Sequence, residues 1–422
     1  MEAELYKYIT ELYPICRSIT GDGTRETLRL ISRHIPLEMH EVASGTKVLD
    51  WEIPKEWNIK DAFIKNSKGE KIVDFQGLNL HVVNYSTPVH EFIDLATLKK
   101  HLFSIPEHPE WIPYRTSYYD ETWGFCIRHD QLLGLREDTY EVLIDSILSA
   151  GSLTYGELYI PGKNEDEFLL STHICHPSLC NDNLSGIAVN TFLAKEMLRS
   201  DNRYSYRFLF IPATIGAITW LSQHEKQLSK IKYGLVTSLL GLDDVFTYKR
   251  SRIGNSAIDR IAEYVLKTSN VPRNILDFIP YGYDERQFCS PGFNLPVGNI
   301  SRIPYGQYPE YHTSADNLNF ISKKAVNDSY KIIREIIRQV ESSKKYINLF
   351  PKGEPQLGRR GLYDSIGGRN DSKQLQMALL WVLNYSDGNY SINDISDLSG
   401  IDLKLLNEAI QLLLSKKMIK EL

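Results

Sequence analysis

The chain has 422 residues, 42% of them apolar, with 48 basic and 53 acidic side chains and a formal net charge of −5. That length exceeds what one hydrophobic core usually organises, so more than one domain is expected. The acidic balance offers no overall attraction for phosphate backbones or anionic lipid, so neither nucleic acid nor a membrane is the expected partner.

Cysteines at 16, 126, 175, 180 and 289 are odd in number and scattered. This differs from the even, dense spacing of a secreted disulfide scaffold and fits a reducing cytoplasm. Residues 1–31 are charged and helix-periodic, without the cationic start and apolar core of a signal peptide, so export is not expected. The most apolar stretch, 208–221, is shorter than the roughly 20 residues a bilayer crossing needs and carries Pro212 and Gly216, so it reads as a buried strand and turn.

In chain order, 5–12 and 24–35 carry apolar residues at three- and four-residue spacing around the turn Thr20-Gly21-Asp22-Gly23, which predicts two helices. From Thr46 the pattern changes to short alternating runs (KVLDWEI, DAFIKN, KIVDF, LHVVNY) broken by the turn at 66–69, predicting a β-rich module over about 46–89. A Pro- and Tyr-rich connection follows, whose aromatic segment 114–123 can line a peptide or carbohydrate cleft or simply fill a core. Beyond it, YEVLIDSIL, GSLTYGELYI, EFLLSTHI, GIAVNTFLAKEML and YRFLFIPA alternate between strand and helix patterns, which argues an α/β sandwich. The run 316–341 reads as a long amphipathic helix, and the Gly- and Pro-rich stretch 348–371 as a domain boundary. Helical patterns at 372–385, 391–400 and 403–418 resemble a winged-helix module. Residues 371–422 hold five Lys/Arg and seven Asp/Glu, a net of −2, so protein contact or a structural role is expected of this tail rather than DNA binding.

The chemistry-bearing segment is STHICHPSLCNDNLSG, 171–186. The apolar run Phe168-Leu169-Leu170 leads into His173, which places this imidazole at the carboxyl edge of a sheet, and His176 follows. Asp182 stands in a polar turn that enters an apolar helix. Two imidazoles and a carboxylate this close can hold zinc with a coordination position left open. The competing reading makes the histidines ordinary polar residues at a strand end, with Asp182 capping the helix.

The segment resembles the zinc aminopeptidases of the bacterial leucyl aminopeptidase and glutaminyl cyclase type. The residues that carry the resemblance are Asp182-Asn183-Leu184-Ser185-Gly186, the segment Tyr283-Asp284-Glu285-Arg286-Gln287-Phe288 and Tyr311-His312-Thr313-Ser314-Ala315-Asp316. The chain is still more similar to a bacterial aminopeptidase-like family with a β-rich insert and a C-terminal winged helix, through 50–57, 175–178, 309–312 and the tail. The resemblance implies an α/β, zinc-exopeptidase-like mixed sheet flanked by helices, with a small β-rich inserted domain and a C-terminal winged-helix domain. It implies a discontinuous catalytic domain over 1–45 and 120–345, an insert over 46–119 and a winged helix over 346–422.

The resemblance also implies that His173 is a first-zinc ligand, that Asp182 bridges two metals and that His312 is the second-zinc ligand. The pattern breaks in three places. Cys175 takes the place of the aspartate that orients the histidine, Pro212-Ala213-Thr214 stands where the family has a Glu-Glu pair, and 237–241 holds no carboxylate. One zinc ion rather than two is therefore expected, held by His173, His176, Asp182 and His312. With Ala213 where the general base belongs, Glu310 and Glu285 are the candidate catalytic replacements. Glu310 lies two residues before His312, so on an extended segment the two would share a face. Glu285 can bind a substrate amine or pair with a cation such as Arg286. Cys175 and Cys180 read as small buried residues.

The function implied is a zinc-dependent aminopeptidase-like hydrolase acting on a peptide or small amide-containing substrate. The alternative is a catalytically impaired metal- or ligand-binding protein on a peptidase scaffold.

Overall fold

The computed structural model describes residues 1–118, 120–304, 306–362 and 372–422. They form two compact units, Met1–Arg334 and Glu335–Leu422.

The first unit is built on an eight-stranded mixed sheet. Its strands lie in the order Glu38–Ala43, Ser152–Ile160, Ser205–Ile211, Glu167–His173, Ile231–Thr237, Val297–Ser301, Phe246–Lys249 and Arg273–Leu276. The four from Ser205–Ile211 to Val297–Ser301 are mutually parallel. Every residue of Glu167–His173 and of Ser205–Ile211 is buried, which is why these strands read as continuous apolar runs rather than alternating ones. The helix Ser185–Met197 that follows the metal-motif turn is buried on nearly all sides, as its apolar composition requires. The stretch 208–221 divides into the end of a strand, a turn and the helix Ile215–His224.

Helices Glu2–Leu12 and Asp22–Ser32 open the chain. The β-rich module is a separate antiparallel sheet ordered Lys71–Asp74, Glu56–Lys65, Thr139–Ser149, Val89–Asp94. Its central partner, Thr139–Ser149, lies beyond the insert boundary expected at 119 and outside the large sheet to which YEVLIDSIL was assigned. Pairing with Glu56–Lys65 along most of its length decides its place. Of the expected strand LHVVNY, Leu80 and His81 lie in the 3-10 turn Asn79–His81, and Val82 and Asn84 form only isolated β-bridges, to Phe125 and Thr116. The amphipathic helix starts at Lys323, not 316, because Asp316 is used elsewhere, as described below.

The second unit contains helices Ser372–Tyr385, Ile392–Ser399 and Leu403–Ser415 and a sheet ordered Asp387–Ser391, Lys345–Asn348, Ile419–Glu421. Leu375, Leu379, Leu406, Ile410 and Leu413 supply its core. The unit division falls inside the helix Lys323–Ser342, and part of the expected boundary stretch, 363–371, lies outside the described residues.

Candidate metal centre

His173 is the last residue of its strand and lies in register with Ile211 of the parallel neighbour. The chain then leaves the sheet and returns through Asn181 to Ser185. Those polar side chains bind the end of the next strand: Asn183 Oδ1 accepts from the Leu239 amide at 3.2 Å, Ser185 Oγ from Leu240 at 2.9 Å and Asn181 Oδ1 from Gly241 at 2.9 Å. From the other side, the Asp316 carboxylate accepts the amides of Asn181 at 2.6 Å and Asp182 at 2.9 Å. The turn that presents Asp182 is thus fixed on both flanks by side chains from the two motifs singled out in the sequence.

Asp182 is fully buried and the histidines converge on it. His173 Nε2 lies 2.9 Å from Oδ1, His312 Nε2 lies 3.0 Å from Oδ2 and His176 Nε2 lies 4.0 Å from Oδ2. The ligand atoms of His173, His176 and Asp182 all fall within 4.8 Å of one another. A tetrahedral zinc site with bonds of about 2.0–2.2 Å has ligand atoms about 3.3–3.6 Å apart, near enough to the spacing here that these three residues could hold a metal ion. His312 joins through Asp182 and stands outside that compact trio.

Burial lowers His176 to about 3, with the neighbouring His173 and His312 acting the same way and Asp182 opposing. The ring is therefore neutral, as ligation requires. Burial alone would raise Asp182, but His176 and the hydrogen bonds from His173 and His312 outweigh it and hold the carboxyl well below its usual range.

Aromatic rings enclose the cluster. Tyr283 stacks on His173 at 5.0 Å between centroids and Tyr311 on His312 at 3.9 Å. Tyr114 presents its edge to both His176 and His312. It arrives from the Pro- and Tyr-rich connection, where Tyr114 N donates to His312 O at 2.7 Å and Pro113 bridges Thr313.

His173, having no aspartate two residues on, is flanked by Asn183, whose Nδ2 lies 3.3 Å from its Nδ1. Cys175 is buried, its thiol pushed up to about 12 by burial, and it lies 3.8 Å from the Ala213 carbonyl. Cys180 is likewise buried.

The two candidate glutamates are placed differently from the expectation. Residues 309–312 form turns, with His312 at φ +56°, so Glu310 does not share an extended face with His312. Glu310 is half-exposed, and its carbonyl oxygen accepts from Thr313 N at 3.1 Å and from Thr313 Oγ1 at 2.8 Å. Glu285 is fully buried and pairs with Lys249 rather than Arg286.

Its neighbour Asp284, not among the candidates from sequence, is buried, and among the described residues neither of its carboxylate oxygens is hydrogen-bonded. Burial raises it to about 7, with Glu285 adding and His173 and Arg286 opposing. Two adjacent acids in one short segment look alike in sequence, and the environment alone distinguishes them. Asp316 was part of the quoted motif, but its task of holding the Asp182 turn is visible only in the fold.

The profile of the family described as "Domain of unknown function (DUF4910)" matches residues 6–343. The chain belongs to this family. A winged helix-turn-helix profile matches 344–421 of this DUF4910 chain. A Clostridium acetobutylicum protein described as a "putative polysaccharide biosynthesis protein with aminopeptidase-like domain" is 52% identical over 417 residues, 99% of this chain and 96% of its own length. The crystal structure of a "putative peptidase" from Clostridium acetobutylicum has a TM-score of 0.87 at 50% identity, covering 100% of this chain and 96% of that one. BSAP, a zinc aminopeptidase from Bacillus subtilis, has a TM-score of 0.57 at 12% identity over 80% of this chain and 95% of its own, a likeness of fold alone. The DUF4910 chain therefore has an aminopeptidase-like mixed α/β fold followed by a winged helix, as the motif resemblance implied.

Proposed function

We propose that this chain is a zinc-dependent hydrolase of the aminopeptidase type, acting on an amide bond of a peptide or small amide-containing substrate. The observation that carries the proposal is the convergence of imidazole nitrogens from His173, His176 and His312 on the buried Asp182 carboxylate. It lies at the carboxyl ends of the parallel strands, where open α/β sheets place their sites.

His173, His176 and Asp182 would hold the ion, while His312 Nε2 lies 3.0 Å from Asp182 Oδ2. When bound, zinc supplies Lewis acidity for an acyl carbonyl and for water. The residues around it do the rest. Tyr283 and Tyr114 pack on His173 and His176, which are shielded from bulk water, and that strengthens charge interactions with Asp182, whereas His312 beside Tyr311 stays partly exposed. Asp284, whose carboxyl burial raises to about 7, is the acid of this segment that would hold a proton in the absence of a glutamate at 213. In this arrangement Glu285 serves its ion pair with Lys249 rather than the proton transfer.

A second reading, a metal-binding protein without turnover, is favoured by Ala213, which contributes only its carbonyl, in contact with the Cys175 thiol. Metal analysis of the purified protein, paired with aminoacyl-anilide hydrolysis, separates the two. The proposal expects one zinc per chain and hydrolysis that disappears with both chelation and Asp182→Asn. Stoichiometric zinc with no hydrolysis of any aminoacyl anilide, and activity created by Ala213→Glu, would establish the second reading instead.

A further inference from the structure

Beside the His–Asp cluster lies a cavity of about 130 Å³. Its buried wall holds the ion pair between Lys249 Nζ and Glu285 Oε1, with Lys249 7% and Glu285 0% exposed. Its rim includes Ile279 and Tyr281, 54% and 61% exposed, so the cavity opens to solvent. Tyr283 is the partition: it lines the cavity, while its ring stacks on His173 and its hydroxyl lies 3.5 Å from Asp182 Oδ1.

The polar atoms in this wall are only partly engaged. Lys249 Nζ donates to the Tyr281 carbonyl at 2.9 Å. Glu285 Oε1 is taken by the ion pair with Lys249, whereas Glu285 Oε2 and the buried Thr247 Oγ1 lack a hydrogen-bond partner among the described residues. A buried polar oxygen left without a donor costs free energy until one reaches it.

We propose that this cavity is a specificity subsite for a primary carboxamide, the side chain of an asparagine or glutamine residue of the substrate. The inference rests on the hydrolase reading for its place in a reaction. A carboxamide presents a donor and an acceptor side by side: its NH₂ donates to Glu285, while its carbonyl oxygen accepts from Lys249 or from the Thr247 hydroxyl. A carboxylate would confront Glu285, an ammonium would confront Lys249, and an alkyl chain would leave both sides unmatched. Gly282 keeps the pair in place: at φ +151°, a Cβ there would stand 2.4 Å from Glu285 Oε1 and 2.5 Å from Lys249 Nζ.

The test is calorimetric titration of the zinc-free full-length protein with free L-asparagine, L-glutamine, L-leucine, L-serine, L-glutamate and L-lysine. Asparagine or glutamine is expected to bind about tenfold more tightly than each of the others. Glu285→Gln, checked for folding by circular dichroism, is expected to erase that preference. Equal affinities, a preference for leucine, serine or a charged amino acid, no binding at millimolar concentration, or a preference that survives E285Q each overturns the proposal. If E285Q does not fold, the wild-type ranking decides alone. Because zinc is absent, the ranking is independent of turnover. A protein that shows the preference yet hydrolyses no aminoacyl anilide keeps the subsite and loses the hydrolase reading.

Discussion

Asp284 sits where a charged carboxylate is expensive: it is buried, and neither oxygen has a hydrogen-bond donor among the described residues. Burial lifts it from 3.8 to about 7. Between about pH 4 and 7 the unfolded chain is therefore ionised at this position while the folded chain keeps its proton. Stability falls there as pH rises, by up to about 1.4 kcal/mol per unit. His176, lowered by burial from 6.5 to about 3, acts with the opposite sign. Over that lower window the unfolded chain carries the proton, so stability rises with pH. In the metal-free protein the two largely offset each other below about pH 6.5, and Asp284→Asn removes one of them. Denaturant unfolding of metal-free D284N should show it more stable than the wild type at pH 8, by on the order of 3 kcal/mol, with the gain fading towards pH 4. A pH-independent difference would contradict the assignment. His173, His176 and Asp182 were legible in the sequence because a short strand-to-turn segment carries all three, and His312 because its motif marks it. Asp284 was hidden by its acidic neighbour.

At the scale of elements, the parallel strands were readable as apolar runs, but one of them hides a charge. Arg207 lies inside SYRFLFI and is buried, bonded to Glu167 at 2.7 and 3.0 Å and also to Glu157. Periodicity gives no sign of this, because the acids that satisfy Arg207 sit on the flanking strands Ser152–Ile160 and Glu167–His173. Arg207→Met strands two buried carboxylates, so equilibrium denaturation should show a loss of about 3–5 kcal/mol. A loss under 1 kcal/mol would mean the network contributes little to holding these three strands together. The strand Thr139–Ser149 was misassigned for a related reason. Its alternation identifies a strand, but which of two sheets it joins depends on long-range pairing with Glu56–Lys65.

For the whole molecule, the order of an α/β unit before a winged helix was visible in the change from mixed strand and helix patterns to three helices. The extent of the β-rich module was not, since its sheet recruits a strand from about fifty residues further along. The winged-helix segment 371–422 carries five basic and seven acidic residues. Its net charge of −2 leaves little counter-charge for phosphate. Fluorescence anisotropy with the full chain and a mixed-sequence duplex is therefore expected to show no salt-dependent binding at physiological ionic strength. Binding that weakens steeply with salt would assign the tail to DNA.

The central claim is a metal centre on Asp182, and anomalous scattering at the zinc edge from zinc-soaked crystals tests it most directly. One peak bonded to His173, His176 and Asp182 is expected, and it vanishes in Asp182→Asn crystals. The absence of a peak there, or a zinc ion held by other residues, would contradict it.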